Sequence, residues 1–128
     1  MKYTPDNITE LRLDQVFVFG SNLAGRHGAG AARLAFEKFG AVMGDGVGQQ
    51  GGSYAIPTKD YQIETLPLHR INHYVGFFLD YARKHSQVEF LVTKIGCGLA
   101  GYEPEDIAPM FIGYPSNVIL PKEFADLL

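Results

Sequence analysis

The sequence has little cysteine and no long apolar run, and each shortage excludes a class of protein. Cys97 is the only cysteine among 128 residues, so an internal disulfide is excluded, and no Cys or His spacing follows a zinc-site pattern. No apolar run approaches the roughly 20 residues of a membrane helix, and the first ten residues, MKYTPDNITE, lack the apolar segment of a signal peptide. We therefore expect a cytoplasmic protein without a membrane segment or a bound metal.

An excess of basic charge is also missing. The chain has 11 Lys and Arg residues against 14 Asp and Glu residues, a formal net charge of −3. Nucleic-acid coat proteins neutralise phosphates with a basic face, so this balance disfavours that class and leaves only a local basic patch open. With 46% apolar and 20% charged residues the composition is that of a folded protein, and the length suits a single domain, residues 1–128.

Apolar runs alternate with helical patterns along the chain. Four continuous runs, typical of strands covered on both faces, occupy residues 15–20, 53–57, 88–95 and 117–120. Helical patterns occur from Gly30 to Gly40, over residues 68–85, from Pro104 onward and over residues 122–128. This alternation predicts an α/β fold, a three-layer α/β/α sandwich with a mostly parallel central sheet. Residues 40–52, with six glycines among thirteen, are predicted to form a mobile loop.

Two glycine-rich stretches each lie between a predicted strand and the start of a predicted helix. The first contains Gly25, Gly28 and Gly30, and the second is IGCGLAGY at residues 95–102. Ligands of open α/β sheets bind beyond the carboxyl ends of the strands, where free N–H groups at a helix N-terminus attract anions. Two such loops at one sheet edge predict a site that holds a diphosphate from both sides. The alternative interpretation is that these glycines only turn the chain.

Better-known nucleotide and hydrolase motifs are absent. The stretch GAGAA at residues 28–32 leads to Arg33, where a dinucleotide fingerprint needs Gly or Ala. The sequence contains neither the Gly-Lys-Ser/Thr of a Walker A loop nor a Gly-x-Ser-x-Gly nucleophile elbow. A Rossmann dinucleotide site, a P-loop and an α/β-hydrolase site are therefore disfavoured.

Several of these stretches resemble one known family. DNITELRLDQVFVFGSNLAGRHGAGAARLAFEKFG resembles the start of a macrodomain, the α/β/α module that binds ADP-ribose, and KIGCGLAGYEPEDI resembles its second phosphate loop and the helix after it. YAIPTKD together with IGCGLAG is similar to the branch that contains terminal ADP-ribose protein glycohydrolases and the antitoxin macrodomains that remove ADP-ribose from thymine in DNA. The resemblance covers nearly the whole chain.

The resemblance implies roles for individual residues. Asn22 would bond the distal ribose, and Lys59, the lysine of the Thr-Lys motif, would act on the anomeric carbon C1″ of that ribose, because a desolvated amine can attack such a carbon or its open-chain aldehyde. Asn7 matches the acid of the family's Asp-Ile-Thr element near the adenine, with Asp6 as its substitute. The implied ligand-binding residues are Asp6, Asn7, Ile8, Asn22, Gly25, His27, Gly28, Ala29, Gly30, Thr58, Gly96, Cys97, Gly98, Leu99, Ala100, Gly101 and Tyr102.

The chain also departs from the family pattern. Of the family's Asn-Ala-Ala-Asn, the stretch FGSN at residues 19–22 keeps only the final Asn. Ala29 and Ala100 stand where other branches have an acid, and residues 60–62, Asp-Tyr-Gln, replace a His-Trp type sequence in a chain that has no tryptophan. Neither carboxylate base of those branches is therefore present.

Three hypotheses for the function follow. The first is an ADP-ribosyl glycohydrolase that uses Lys59, with no cofactor. The second is a reader or scavenger that binds ADP-ribose or a related NAD-derived nucleotide without turning it over. In both, the partner is ADP-ribose or an ADP-ribosylated macromolecule, and a nucleic acid is a partner only if the substrate is ADP-ribosylated DNA. The third is an interaction module whose glycines are only turns.

Some single residues have a structural interpretation beside the functional one. Asp60 is expected to cap a turn rather than act as a base, and Cys97 to be a small buried residue rather than a reactive thiolate. A polar loop histidine is the simpler interpretation of His27. Tyr102 fits packing against a ribose and ordinary core packing equally, and Lys59 can be interpreted as a solvated lysine after a strand.

Overall fold

A five-stranded sheet forms the centre of the structure, a computed structural model that describes residues 2–128. Its strands are β1 (Gln15–Asn22), β2 (Gly48–Gln50), β3 (Ser53–Lys59), β4 (Glu89–Val92) and β5 (Val118–Ile119). The strand order is β2-β3-β1-β4-β5, with parallel pairing throughout except that β2, at one edge, is antiparallel to β3. The predicted α/β class with a mostly parallel sheet is confirmed. The predicted domain starts at Met1, which lies outside the described residues.

Helices connect the strands as the periodicity predicts. They are α1 (Gly30–Lys38), α2 (Leu68–Lys84), α3 (Pro104–Ile107) and α4 (Lys122–Ala125), and a 3-10 turn, Ala108–Phe111, follows α3. Helix α3 begins with Pro104 and a reciprocal capping box, in which the side chains of Glu103 and Asp106 each accept a backbone N–H. The last helix is shorter than predicted and ends at Ala125. Within residues 2–128, no helix is both long enough and apolar enough to cross a membrane.

Strand β1 supplies side chains to two apolar clusters. Val16 and Val18 belong to a cluster that contains the buried side of α2, whereas Phe17 and Phe19 belong to a second cluster that contains Ala35 of α1. Successive side chains of a strand point to opposite faces of the sheet, so both faces of β1 are covered. This double burial explains why the run of apolar residues is continuous rather than alternating.

Residues 40–52 form a loop only in part. Strand β2 pairs with β3 at Gly48, Gln49 and Gln50, and the side-chain oxygen of Gln50 accepts the backbone N–H of Val42 at 2.7 Å. The prediction of a loop over the whole segment is therefore wrong at residues 48–50. A strand of Gly-Gln-Gln carries no apolar or β-branched signal, and its pairing depends on the free edge of β3 rather than on its own sequence.

Strands β1 and β3 both extend beyond their apolar runs. The register shifts between Ser21 and Asn22, and after this irregularity Asn22 lies opposite Lys59. A bulge of this kind redirects the side chains that follow it. The carboxyl ends of the neighbouring strands β1 and β3 therefore carry, side by side, the two residues for which the resemblance implies a catalytic role.

Tyr54 of β3 links the stability of the fold to pH in the alkaline range. Its side chain is buried, and its ring meets the Phe78 ring edge-on with 5.0 Å between centroids. Burial, with a contribution from Tyr81, raises the pKa of Tyr54 to about 12. An unfolded tyrosine titrates near pH 10, so between about pH 10 and 12 the folded state holds one more proton at this residue.

We therefore expect the free energy of unfolding to fall as the pH rises from about 10 to 12, by about 1.4 kcal/mol per pH unit for Tyr54. Urea unfolding at a series of pH values measures this slope. The Tyr54→Phe variant has no hydroxyl at this position and should lose that part of the slope. The same slope in the variant and in the wild type would contradict the assignment to Tyr54.

Candidate functional site

A cleft of about 460 Å³ lies at the carboxyl ends of β1 and β3, between the two glycine-rich loops. The first loop contributes Gly28, Ala29 and Gly30 to its walls, and the second contributes Gly96, Gly98, Leu99 and Ala100. Asn22, Thr58 and Lys59 line it at the strand ends. The structure therefore brings together both loops and both residues assigned to catalysis, as the sequence predicts for loops at one edge of a parallel sheet.

The charged side chains that line this cleft are all cationic. They are Arg26, Lys59 and Lys94, and no Asp, Glu, His or Cys lines it among residues 2–128. Lys94 is paired with Glu123, with 2.8 Å between Nζ and Oε2, and this contact raises the pKa of the lysine. Arg26 and Lys59 have no ion-pair partner among the same residues. The cleft of an acidic protein is thus locally electropositive, which favours an anionic ligand.

The N-terminus of α1 opens into the cleft. Ala29, at the N-cap position, makes no side-chain capping bond, and the first backbone N–H groups of a helix have no acceptor within the helix. A Cβ built on Gly28 or Gly30 would meet no atom within 4 Å, so a ligand can approach the backbone closely here. Free amides and the helix dipole together suit a phosphate group.

The hydroxyl groups in the cleft donate hydrogen bonds to backbone carbonyls. Ser21 donates to Gly46 O at 2.5 Å, and Thr58 donates to Ser21 O at 3.2 Å. Thr93 donates to Val18 O at 2.8 Å. None of these hydroxyls therefore offers its proton to a ligand in this arrangement, and Asn22 and Lys59 are the polar side chains at the strand ends that keep free hydrogen-bonding positions.

Asn22 shapes the first loop as well as lining the cleft. Its side-chain NH2 donates to Arg26 O, and its side-chain oxygen accepts the Arg26 N–H, both at 2.9 Å. An amide side chain has four hydrogen-bonding positions, so one N–H and one lone pair remain for a ligand. Asn22 thereby fixes the backbone of Arg26 while it faces the cleft.

The first loop is held from outside by residues 40–46. Gly44 N donates to Gly25 O at 2.9 Å, and a Cβ on Gly25 would lie 2.3 Å from Asp45 N. Similarly, a Cβ on Gly46 would lie 2.0 Å from Asn22 O. Gly25, predicted to contact phosphate, therefore packs against this segment and does not line the cleft.

His27 also holds this loop. Its side chain is 1% exposed, and Nε2 lies 2.9 Å from Val42 O and 3.0 Å from Asp45 O. Both neighbours are acceptors, so Nε2 carries the hydrogen in this arrangement. The ring packs edge-on against Phe19, and Nδ1 is buried without a partner among residues 2–128. His27, predicted to contact the ligand, lies outside the cleft wall.

The second loop is held by the chain that follows β3. Thr65 Oγ1 donates to Ala100 O at 3.0 Å, and the Tyr102 hydroxyl donates to Leu66 O at 2.7 Å. Tyr102 therefore packs against the α2-side cluster, and like Cys97 and Gly101 it does not line the cleft. Among residues 2–128, no cluster of three or more His, Cys, Asp or Glu side chains could hold a metal ion.

Asp60 caps the turn after β3, as the sequence predicts. Its Oδ1 accepts the N–H groups of Gln62 at 2.9 Å and Glu64 at 3.0 Å. Within this turn Ile63 has a φ of 65°, and its side chain lines the cleft. Sequence reasoning missed Ile63, Arg26 and Lys94; the two cations could have been found from their position beside the glycine-rich loops.

A second cavity of about 260 Å³ adjoins the first. It shares Gly30, Ala31 and Thr93 with the cleft and is lined by Asp6 and by the apolar side chains of Pro5, Ile8, Phe17 and Leu34. Asp6 and Ile8 therefore lie beside the cleft as the resemblance implies, whereas Asn7 lines neither cavity. A small apolar chamber with one carboxylate suits a flat base with an exocyclic amine.

Comparisons of the chain with protein-family models, with curated proteins and with solved structures found no match.

Gly25 and Gly28 give a matched pair for testing how the first loop is held. We expect Gly25→Ala to lower the free energy of unfolding by about 2–4 kcal/mol, because its methyl group would overlap the backbone of Gly44 and Asp45 and its φ is 69°. Gly28→Ala places its methyl group in open space and should change stability by less than about 0.5 kcal/mol. Urea unfolding measures both, and equal effects would refute this account of the loop.

Cys97 should be a poorly reactive thiol. Burial, followed by the nearby carboxylates of Glu103 and Asp106, raises its pKa to about 11. About one thousandth of the thiol is then ionised at pH 8, and the thiolate is the reactive form. We expect the rate of iodoacetamide labelling at pH 8 to be about two orders of magnitude below that of the urea-unfolded chain. A labelling rate of the folded protein that stops rising with pH below pH 9 would contradict the raised pKa of Cys97.

Proposed function

We propose that the protein binds ADP-ribose or a related NAD-derived nucleotide in a three-layer α/β/α, macrodomain-like fold. The observation that carries the proposal is the cleft between the two glycine-rich loops, which combines free amides at the start of α1 with the cations Arg26 and Lys59, neither of which has an ion-pair partner within residues 2–128. A diphosphate is the anion that such a two-sided, amide-rich cleft fits best. We also propose a cytoplasmic location, since the one cysteine forms no internal disulfide.

The two cavities suggest how the nucleotide lies. The adenine would occupy the smaller chamber, where Asp6 can accept a hydrogen bond from its exocyclic amine. The diphosphate would cross Gly30, which both cavities share, and would meet Arg26 in the larger one. The distal ribose would then extend toward Asn22 and Lys59.

In the leading form of the proposal, Lys59 catalyses release of ADP-ribose from an acceptor. The neutral amine would form a bond from Nζ to C1″ as the bond between C1″ and the acceptor breaks, and the acceptor would leave with the proton given up by the lysine. Water would then add to C1″ as the C–N bond breaks, which returns the free lysine and ADP-ribose. Asn22 would orient the ribose with its remaining hydrogen-bonding positions.

The alternative form is a reader or scavenger that binds ADP-ribose without turnover. One observation favours it: Ala29 and Ala100 line the cleft, so neither wall supplies a carboxylate that could activate water. Both forms predict binding, and they differ only in the release step. ADP-ribosylated DNA would be a substrate of the first form only.

Calorimetric titration with ADP-ribose tests binding, and release from ADP-ribosylated protein and thymidine tests turnover. We expect micromolar-range affinity that weakens as salt rises, because the diphosphate interacts with a cationic cleft. Lys59→Ala should retain binding within about tenfold while release falls at least about a hundredfold. Lys84→Ala is the matched control, since it removes a lysine at the exposed end of α2.

The glycosylamine on Lys59 opens to an imine as the bond between C1″ and the ring oxygen breaks and the nitrogen's proton moves to that oxygen. Cyanoborohydride reduces this imine, so its presence during incubation with substrate should leave one ADP-ribosyl group fixed on Lys59, which mass spectrometry of peptides can detect. Undiminished release by Lys59→Ala would refute the lysine mechanism. Binding without release by the wild type would select the reader, and no binding of ADP-ribose, NAD or related nucleotides would refute the proposed function.

A further inference from the structure

Ile63 holds a backbone conformation that its residue type disfavours. Its φ of 65° is the only positive φ of a non-glycine residue among residues 2–128. The left-handed region is unfavourable for a β-branched side chain and is tolerated by Gly and Asn. Strain of this kind persists only where the surrounding structure imposes it, and it concentrates at ligand-binding sites.

The surrounding turn imposes this conformation. Asp60 Oδ1 accepts the N–H groups of Gln62 and Glu64, and the Ile63 N–H donates to Asp60 O at 3.1 Å. At the base of the turn the backbone of Lys59 pairs with Thr65. Thr65 in turn donates to Ala100 O, so the turn is fastened to the second glycine-rich loop.

The result is an apolar wall beside Lys59. Ile63 is half-buried and lines the larger cavity, although Tyr61, Gln62 and Glu64 around it are exposed. Leu99 and Ala100 of the second loop line the same cavity. None of these wall residues lines the smaller chamber beside Asp6. The wall therefore lies on the Lys59 side of the cleft and not on the side of the smaller chamber.

We propose that Ile63 is a specificity-determining residue that contacts the distal ribose and makes the cleft prefer ADP-ribose to ADP. This assignment rests on the proposed function. The branched side chain excludes water beside Lys59 and covers the C–H face of the sugar, a contact that ADP cannot make because it ends at the diphosphate. The strained backbone is what directs the side chain there.

Three substitutions separate this role from a structural one. Ile63→Asn relieves the backbone strain and replaces the apolar wall with a polar group. Ile63→Gly relieves the strain and removes the wall. Ile63→Val is the matched control, because it keeps the branched apolar surface and the strain. Titration of each full-length variant with ADP-ribose and with ADP gives two affinities, and thermal unfolding gives its Tm.

We expect ADP-ribose to bind Ile63→Asn and Ile63→Gly about tenfold more weakly than the wild type, with ADP affinity changed by less than about twofold. Ile63→Val should retain both affinities within about threefold. The Tm of Ile63→Asn should equal or exceed that of the wild type, because the strain is relieved. Loss of affinity without loss of stability is a result that a purely structural role would not give.

Other outcomes overturn the assignment. Unchanged ADP-ribose affinity in Ile63→Asn, or equal losses for ADP-ribose and ADP, would remove the specificity role and leave the proposed function intact. Equal binding of ADP-ribose and ADP by the wild type would do the same. Failure of the wild type to bind either nucleotide would overturn the proposed function and the role of Ile63 together.

Discussion

The close approach of two backbone segments at Gly25 and Gly46 is the constraint on which the candidate site depends. A side chain at either position would overlap the opposing backbone, so the contact between residues 21–27 and 40–46 exists only because both are glycine. This contact fixes the first loop, and with it the direction of Arg26 and the open amides at the start of α1. Without that support, the bonds between Asn22 and Arg26 would remain, but the first loop would lose its contact with residues 40–46.

Much of the fold follows from local patterns. Continuous apolar runs identify buried strands because β1 packs on both faces, and the spacing of apolar residues identifies α2 because one side of that helix is buried. Parallel strands bring their carboxyl ends to one edge, so the meeting of the two glycine-rich loops is also predictable. The capping role of Asp60 follows from the chemistry of a short carboxylate in a turn.

The remaining features depend on contacts between distant parts of the chain. Strand β2 has no sequence signal because its pairing is dictated by the edge of β3. His27 is polar and lies in a glycine-rich loop, yet it is buried because carbonyls fifteen and eighteen residues later accept its hydrogen. Ile63 contradicts its own backbone preference because the capped turn overrides it, and Thr65 fastens that turn to Ala100, thirty-five residues later. The local sequence alone therefore does not predict the pairing of β2, the burial of His27 or the backbone conformation of Ile63.

The two walls of the cleft have separate anchors. The first loop is fastened to the segment before β2, and the second to the segment between β3 and α2 through Thr65 and Tyr102. Each wall of the cleft is therefore held by a different segment of the chain. This separation is useful for protein engineering. Variant libraries at residues 60–66 can change the wall formed by the second loop while the wall formed by the first loop keeps its shape.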